Sequence, residues 1–420
     1  MKSRLFKQFG LAQSDKMFLF ESLTDDYDDS QILSCTITRG STSAMPVFTP
    51  STIEIELVGA PNIRRTAWVY MSVNPYVFDA FIGKYASPQN HHRRFAGTKT
   101  LSTVNDRQWS HTGTPARWTT TVTGVSWTAR IASYSKKYIA KPGQITASYL
   151  ATHLRQRPIE TGVDTSNLDR FDSIYGPEEA LDFSEAIRKY ADDLGTLISH
   201  QRGGQVRIES IQSRALKLEQ MATYSYAIQR DQCLSPAKWS TTAEMATTKL
   251  HVKRRLSNGG IYEQDWPVSA NVNEDALRSE EVDLTYITDR TESFRNIVNA
   301  KNYNINWSQL SVDEITIDMG ILFQRGRDID REVFKRLLIM EEGDPVYLST
   351  DWPQAVRGSY FSTQIQEHIS PDGWTFTIGL ARAHYVIGVP PSQIPELKPK
   401  TWDQINAPWD SPPYATWHEY

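Results

Sequence analysis

Polar and apolar residues alternate with a period of two over several separate stretches, and each stretch predicts a strand with one face turned to a core. Thr52–Val58 is the cleanest: Ile53, Ile55 and Leu57 fall on one face, Glu54 and Glu56 on the other. Gln364–Leu380 reads as a β-hairpin. One strand ends near His368 and Ile369, Ser370-Pro371-Asp372-Gly373 makes the turn, and Trp374, Phe376 and Ile378 then alternate with Thr375, Thr377 and Gly379. Proline presets φ for a turn and glycine supplies φ > 0. Ser34–Arg39 and Ala67–Val73 are further strands. In the threonine-rich Trp118–Trp127, Trp118, Thr120 and Val122 share a face until Gly124 shifts the phase to Val125 and Trp127, which predicts a bulge. Leu250–Leu256 turns through Asn258-Gly259-Gly260 into Ile261–Trp266, and Glu281–Ile287 and Glu314–Met319 alternate in the same way.

Helical spacing is confined to a few places. In ALDFSEAIRKYADDLG, Phe183, Ile187, Tyr190, Ala191 and Leu194 form one stripe. Asp182 with Glu185 has capping-box spacing, and Gly195 is placed to end the helix in the left-handed conformation. A hairpin is expected next, with strands Thr196–Ser199 and Gln205–Glu209 about Gln201-Arg202-Gly203-Gly204. Strand character is expected again after Ser213. Thr146–Gln156 can form a helix, and a further helix at about Ile329–Glu341 carries Phe334, Leu337 and Leu338 before Gly343-Asp344-Pro345 ends it and feeds strand Val346–Ser349.

The remaining segments lack a sustained period. Residues 1–24 read as an arm, and Asn74–Ser110 as a polar excursion whose His91-His92-Arg93-Arg94 is expected to be a basic contact loop. Pro390–Tyr420 is proline- and tryptophan-rich, an extended tail that folds against a neighbour.

Composition narrows the class. At 420 residues the chain exceeds what one core usually supports. Its 45 Lys+Arg are offset by 49 Asp+Glu, a net charge of -4, so nucleic-acid affinity is not indicated. Cys35 and Cys233 lie far apart without a C-x-x-C, which argues against a disulfide scaffold and a zinc site. No secretory signal and no apolar run of membrane-spanning length is present, so a soluble protein of a reducing compartment is expected.

The sequence carries no phosphate loop, G-x-S-x-G or H-E-x-x-H. Asp25-Asp26-Tyr27-Asp28-Asp29 suggests calcium but lacks the loop order and the distal glutamate, so a solvated turn is expected. His91-His92 are adjacent, a poor arrangement for holding one ion, and His418-Glu419 has no second histidine at helical spacing. Asp192-Asp193 and Glu341-Glu342 are expected on helix surfaces or ends, facing water. The charges of Lys253-Arg254-Arg255 divide between two strand faces. No catalytic, cofactor-binding or metal residue is assigned, and a structural or binding protein is expected rather than an enzyme.

Three passages carry a resemblance. SCTITRGSTSAMPVFTPSTIEIEL (Ser34–Leu57), ALDFSEAIRKYADDLGTLISHQRGGQVRIES (Ala180–Ser210) and the series Asp330–Glu341, Val346–Ser349 and HISPDGWTFTIGL (His368–Leu380) together resemble the tail-hub, or baseplate-hub and minor tail, proteins of long-tailed bacteriophages, especially those infecting actinobacteria. Thr401-Trp402-Asp403 is similar to the Thr-Trp-Asp repeats with which such proteins often finish. The resemblance implies a β-rich α+β fold with two β-barrel-like domains joined by small α/β modules, an extended N-terminal arm and a Pro/Trp-rich C-terminal tail. Its expected boundaries are an arm at 1–24, a first β-barrel domain at 25–133 with an insertion loop at 74–110, an α/β helix-hairpin domain at 134–215, a second β-barrel domain at 216–327, a helix with closing strands at 328–389, and a tail at 390–420.

It further implies a homotrimeric hub at the tail tip of a virion, adapting a six-fold tube to a three-fold tip around the DNA channel. Its partners would be the tail tube and distal tail protein, the tape-measure protein, and tip spike or fibre proteins, with no cofactor, no sequence-specific nucleic-acid binding and no membrane span. A carbohydrate-binding or polysaccharide-degrading tail protein is the alternative, since indole faces stack on sugars. Against it, Trp118, Trp127 and Trp374 share strand faces with aliphatic residues, as core tryptophans do.

Overall fold

The computed structural model describes residues 17–20, 25–27, 32–41, 49–59, 68–73, 78–79, 84–85, 92–107, 117–126, 129, 137–138, 145–146, 163–167, 173–174, 181–182, 195–202, 204–221, 227–241, 249–256, 258–267, 279–288, 298, 310–325, 327–370, 373–388 and 394. In chain order the longer elements are β1 (Met17–Phe20), β2 (Asp25–Tyr27), β3 (Ile32–Gly40), β4 (Thr52–Val58), β5 (Trp68–Val73), β6 (His92–Arg107), β7 (Arg117–Val125), β8 (Val163–Asn167), β9 (Leu197–His200), β10 (Val206–Glu209) and α1 (Ile211–Met221). They continue with β11 (Cys233–Thr241), β12 (Lys249–Arg255), β13 (Ile261–Pro267), β14 (Ser279–Thr288), β15 (Leu310–Asp318), α2 (Met319–Arg325), α3 (Asp328–Ile339), β16 (Pro345–Leu348), β17 (Gly358–Ser370), β18 (Gly373–Arg382) and α4 (Ala383–Ile387).

Strands dominate, and a 12-stranded sheet forms the body. Its order is β11-β15-β18-β17-β3-β4-β7-β6-β5-β1-β2, with β16 on β17. Strands from the two ends of the chain meet at β3 and β17, where Cys35 faces Ile369, Ile37 faces Glu367 and Arg39 faces Ile365. Among the described residues this sheet is open and no barrel closes. In a smaller sheet, β12 pairs antiparallel with β13 and parallel with β14. In a third, β10 lies between parallel β8 and antiparallel β9.

The alternating pattern becomes the core. Ile37, Ile53, Ile55, Leu57, Ile315, Ile317, Ile365, Trp374, Phe376 and Ile378 line one face of the large sheet, each 1% exposed or less. Val333, Phe334, Leu337 and Leu338 of α3 pack on that face, together with Leu322 of α2. Cys35 is fully buried among them, as a small hydrophobe. The hairpin is as expected, with Ile369 opposite Trp374 and Ser370 opposite Gly373. So is β9–β10, whose Gly204 has φ +91°, and Gly195 just before it has φ +57°.

Several expectations change. The 74–110 stretch contains β6, a strand of 16 residues paired with β5 and β7, because hydroxyl and small side chains suit a sheet that is half exposed. The bulge lies in β6 between Lys99 and Leu101, opposite the glycine rather than at Gly124 itself. Asp25–Tyr27 is a strand rather than a solvated turn, and Met17–Phe20 of the expected arm joins it to β5. Residues 211–221 form a helix, where strand character was expected after Ser213. The segments 147–156 and 183–194, both expected as helices, lie outside the described residues, as do Trp127 and almost all of the 390–420 tail.

Trp118 is the clearest departure in the core assignment. It shares a strand face with Thr120 and Val122, which are buried, yet it is 51% exposed because β7 runs beyond the edge of the packed core. Trp374 is 0% exposed. Trp374→Ala is expected to destabilise the fold by about 3–5 kcal/mol in urea unfolding, whereas Trp118→Ala should change it by no more than roughly 0.5 kcal/mol.

Candidate functional site

Alternation turns more than apolar groups inward. In β3, Arg39 is in phase with Cys35 and Ile37; in β17, Glu367 is in phase with Ile365 and Ile369. Both are fully buried, together with Arg94 of β6. Burial of such groups is tolerated only where charge and hydrogen bonds are matched. Glu367 accepts from Arg94 Nε at 2.8 Å and Nη2 at 2.8 Å, and from Arg39 Nη2 at 2.9 Å. The same Arg39 donates through Nη1 to Glu341 at 2.8 Å. The Arg94 guanidinium lies 5.8 Å from the ring centres of both Trp374 and Phe376.

Glu341 follows α3 and binds the β9–β10 turn. Its carboxylate accepts the backbone N–H of Arg202 at 3.1 Å and pairs with Arg202 Nε at 3.3 Å. Arg94 and Arg202 both donate to the Leu338 carbonyl, one of the last in α3, where the helix dipole favours cations. Gly343 has φ +83°, and a Cβ there would lie 2.2 Å from Leu197 Cδ2, so the loop and β9 touch only because the side chain is absent. His200 of β9 packs 5.8 Å from Phe95; burial and then the Arg39 charge push its imidazole down to about 3.

A second cluster continues from the first. Glu209 of β10 binds Lys217 Nζ of α1 at 2.6 Å and Arg207 Nη2 at 3.0 Å. Asp344 faces Lys217 Nζ at 3.3 Å, Arg336 Nη2 of α3 at 3.3 Å and Arg207 Nη1 at 3.6 Å. It also accepts the Glu341 N–H at 3.0 Å. Ser362 Oγ ties this loop to β17, donating to the Glu341 carbonyl at 2.9 Å. A third set holds the start of α3: buried Asp330 accepts from Gln232 Nε2 at 2.7 Å and Arg327 Nε at 2.6 Å.

These groups titrate in opposite directions. Burial, against the pull of Arg207, lifts the Glu209 carboxyl to about 7. Burial, reinforced by Glu341 and opposed by Arg39 and Arg214, lifts Glu342 to about 8. Glu367 is also desolvated, but Arg94 and Arg39 outweigh that and hold it below the ordinary carboxylate range.

The residues weighed in the sequence fall as follows. Glu341 and Glu342 are buried rather than facing water, because the loop after α3 is covered by β9 and β3. Arg94 is a core ion-pair partner rather than part of a contact loop, and His92 and Arg93 belong to the same strand; His91 lies outside the described residues, as do Asp192, Asp193, His418 and Glu419. On the exposed face of β12, His251 and Lys253 meet Asp265 and Glu263 of β13, while Arg254 turns to the other face, 5.3 Å over Tyr262. Among the described residues no group of three or more metal-ligating side chains gathers, and no helix is long and apolar enough to cross a membrane. The clusters hold matched charges and no exposed nucleophile: their chemistry is to lock β3, β6, β17, the loop after α3 and the β9–β10 hairpin together.

Because Glu209 and Glu342 have folded values above the ordinary 4.5, the stability they confer is complete below that pH and is lost as pH rises through about 7–8. Glu367 acts oppositely, its contribution being present above the ordinary range and lost on acidification. Buried His200, held down at about 3, also loses its contribution as pH falls below the ordinary imidazole value of 6.5. Thermal unfolding from pH 4 to 9 should therefore show highest stability at about pH 6 and a fall on both sides, and Glu342→Gln should flatten the alkaline side. Glu367→Ala, which leaves two buried guanidinium groups short of a partner, is expected to cost about 3–5 kcal/mol by urea unfolding.

Neither a family model nor a curated protein sequence matches the chain. Solved structures do. The 43 kDa tail protein of prophage MuSo2 from Shewanella oneidensis is similar with a TM-score of 0.54 at 12% identity, covering 89% of this chain and 98% of that one. The tail protein from Neisseria meningitidis MC58 is similar with a TM-score of 0.55 at 8% identity, again covering 89% of this chain and 98% of that one. At such identities the likeness establishes the fold: the chain has the β-rich fold of phage tail proteins.

Proposed function

We propose that the protein is a structural component of a phage tail, a homotrimeric hub at the tail tip that surrounds the DNA channel and adapts a six-fold tube to a three-fold tip. In this reading the modules at 25–133 and 216–327 act as two barrel-like units per chain, so three chains supply six. The tail tube, distal tail protein, tape-measure protein and tip spike or fibre proteins are its neighbours, and an actinobacterial host follows the sequence resemblance. The likeness to tail proteins along 89% of the chain supports the tail assignment.

The observation that carries the channel role is the outer face of the large sheet. Over residues 34–38, 52–58, 101–105, 119–125, 314–318, 364–370 and 373–379, in seven adjacent strands, there is neither lysine nor arginine. The side opposite the core presents Thr36, Thr38, Glu54, Glu56, Thr121, Thr123, Gln366, His368, Thr375 and Thr377, with the apolar Val58 and Leu101 toward one edge. DNA affinity rests on cations that neutralise phosphates, so hydroxyls and carboxylates make a surface along which a polyanion passes without being held.

Negative-stain microscopy of the purified protein should show three-fold rings; a monomer, and no three-fold ring in particles carrying the protein, would sink the proposal. The wild-type chain should not retard duplex DNA in a gel at physiological salt, while Thr52→Lys with Glu54→Lys, both exposed positions, should produce salt-sensitive retardation.

A further inference from the structure

The turn joining β12 to β13 contains Asn258-Gly259, the one Asn-Gly pair in the sequence. Glycine follows the asparagine because the turn needs it: Gly259 has φ +88°, a conformation that residues with side chains rarely adopt. Nothing therefore shields the peptide between them. A Cβ built at Gly259 would meet no atom within 4 Å, and Asn258 is exposed. The asparagine side chain folds back along the turn, its Oδ1 accepting the Gly260 N–H at 2.9 Å. That bond holds the side-chain amide over the intervening Gly259 nitrogen and polarises its carbonyl.

We propose that Asn258 is a site of spontaneous modification, at which the folded chain deamidates through attack of the Gly259 backbone nitrogen on the Asn258 side-chain amide. The nitrogen gives its proton to hydroxide and bonds to Asn258 Cγ. The tetrahedral oxyanion forms on Oδ1, where the Gly260 N–H already donates. The bond from Cγ to the side-chain nitrogen then breaks, and that nitrogen takes up a proton and leaves as ammonia. A five-membered succinimide remains, and water opens it at either carbonyl to give aspartate or isoaspartate; no oxidant or reductant is needed. Both reacting atoms belong to adjacent residues, so the step is intramolecular. One bond opposes it. The Gly259 N–H donates to the Leu256 carbonyl at 2.9 Å, so the turn opens locally before the nitrogen attacks. Opening at an exposed hairpin end costs far less than unfolding the chain. Either product sets a new carboxylate in a turn that Arg255 anchors, through Nη1 to the Gly259 carbonyl at 3.1 Å and Nε to the Thr285 carbonyl of β14 at 2.9 Å. Isoaspartate also lengthens the backbone by one carbon, which disturbs the Leu256 N–H to Gly260 carbonyl bond that closes the hairpin.

Peptide mass spectrometry of the folded full chain, aged in heavy-oxygen water at rising pH, tests this. Asn258 should gain heavy oxygen as its amide is replaced, and separate aspartate and isoaspartate peptides should appear. Their rate of formation should rise about tenfold for each unit of pH, with the population of deprotonated nitrogen. Asn105, whose Nδ2 donates to Thr121 Oγ1 at 3.0 Å within β6, should stay unchanged over the same period. Asn258→Gln must close a six-membered ring, so loss of ammonia at that position should slow roughly tenfold or more. The position is exposed, and the unaged variant should keep the wild-type circular dichroism and melting temperature. If Asn258 keeps its amide in the folded chain and loses it only in the urea-denatured chain, the turn protects the residue and the proposal is overturned. Aspartate without isoaspartate, the mark of direct hydrolysis by water, would overturn it as well.

Discussion

Glu367 is a carboxylate with no exposure to solvent, and it stays ionised only because Arg39 and Arg94 close on it from two other strands. The partners are separated from it by 328 and 273 residues in the chain, so the contact exists only when β3, β6 and β17 are all in place. A buried charge left without its partner costs several kcal/mol, which makes partial assembly of these strands unfavourable. The pairing also fixes register. A one-residue slip between β3 and β17 would carry Arg39 or Glu367 to the outer face and bring a neighbouring polar side chain into the core.

The same network decides where the smaller elements sit. Arg39 is shared between Glu367 and Glu341, so the loop after α3 is attached to the seam of the large sheet. Glu341 then takes the backbone of the β9–β10 turn, and Asp344 and Glu209 extend the contact to α1. Packing is set by glycine as much as by charge. At Gly40, with φ +79°, a Cβ would stand 2.2 Å from the Thr363 carbonyl and 2.8 Å from Glu342 Cδ. The passages of sequence that resemble hub proteins are the ones that converge here: SCTITRG supplies Arg39, HQRGGQVRIES supplies Arg202, Arg207 and Glu209, and HIS follows directly on Glu367.

Much of this was legible in the pattern of the chain. Period-two alternation identified the inward positions of β4, β15 and β18, and turn residues placed both the β9–β10 and the β17–β18 hairpins. What alternation cannot state is which distant strand lies alongside, and the ion network is made wholly of distant partners. Its trace was nevertheless present. Glu367 occupies the apolar phase between Ile365 and Ile369, and Arg39 follows Cys35 and Ile37 in the same phase. A charge at an inward position of a clean strand signals a buried partner somewhere else. Arg94 gave less warning, because a run of histidines and arginines with no alternation looks like a loop. Trp118 misled for a related reason: strand phase specifies a face, but whether that face is covered depends on how far the neighbouring strands extend.

The network and the bare outer face are two consequences of one alternation. In β3, Arg39 is sent inward and Thr36 and Thr38 outward; in β17, Glu367 is sent inward and Gln366 and His368 outward. The cations that the seam needs are thereby turned away from the outer surface and neutralised by carboxylates within the core. A tail component built on this plan can use arginine to fix the register of its central strands without presenting those charges to DNA. Surface ion pairs would hold the strands in register more weakly and would set guanidinium groups on the face where the proposed channel requires none. Burying the charges is thus the arrangement in which strand registration and a non-adhesive outer surface coexist in a single sheet.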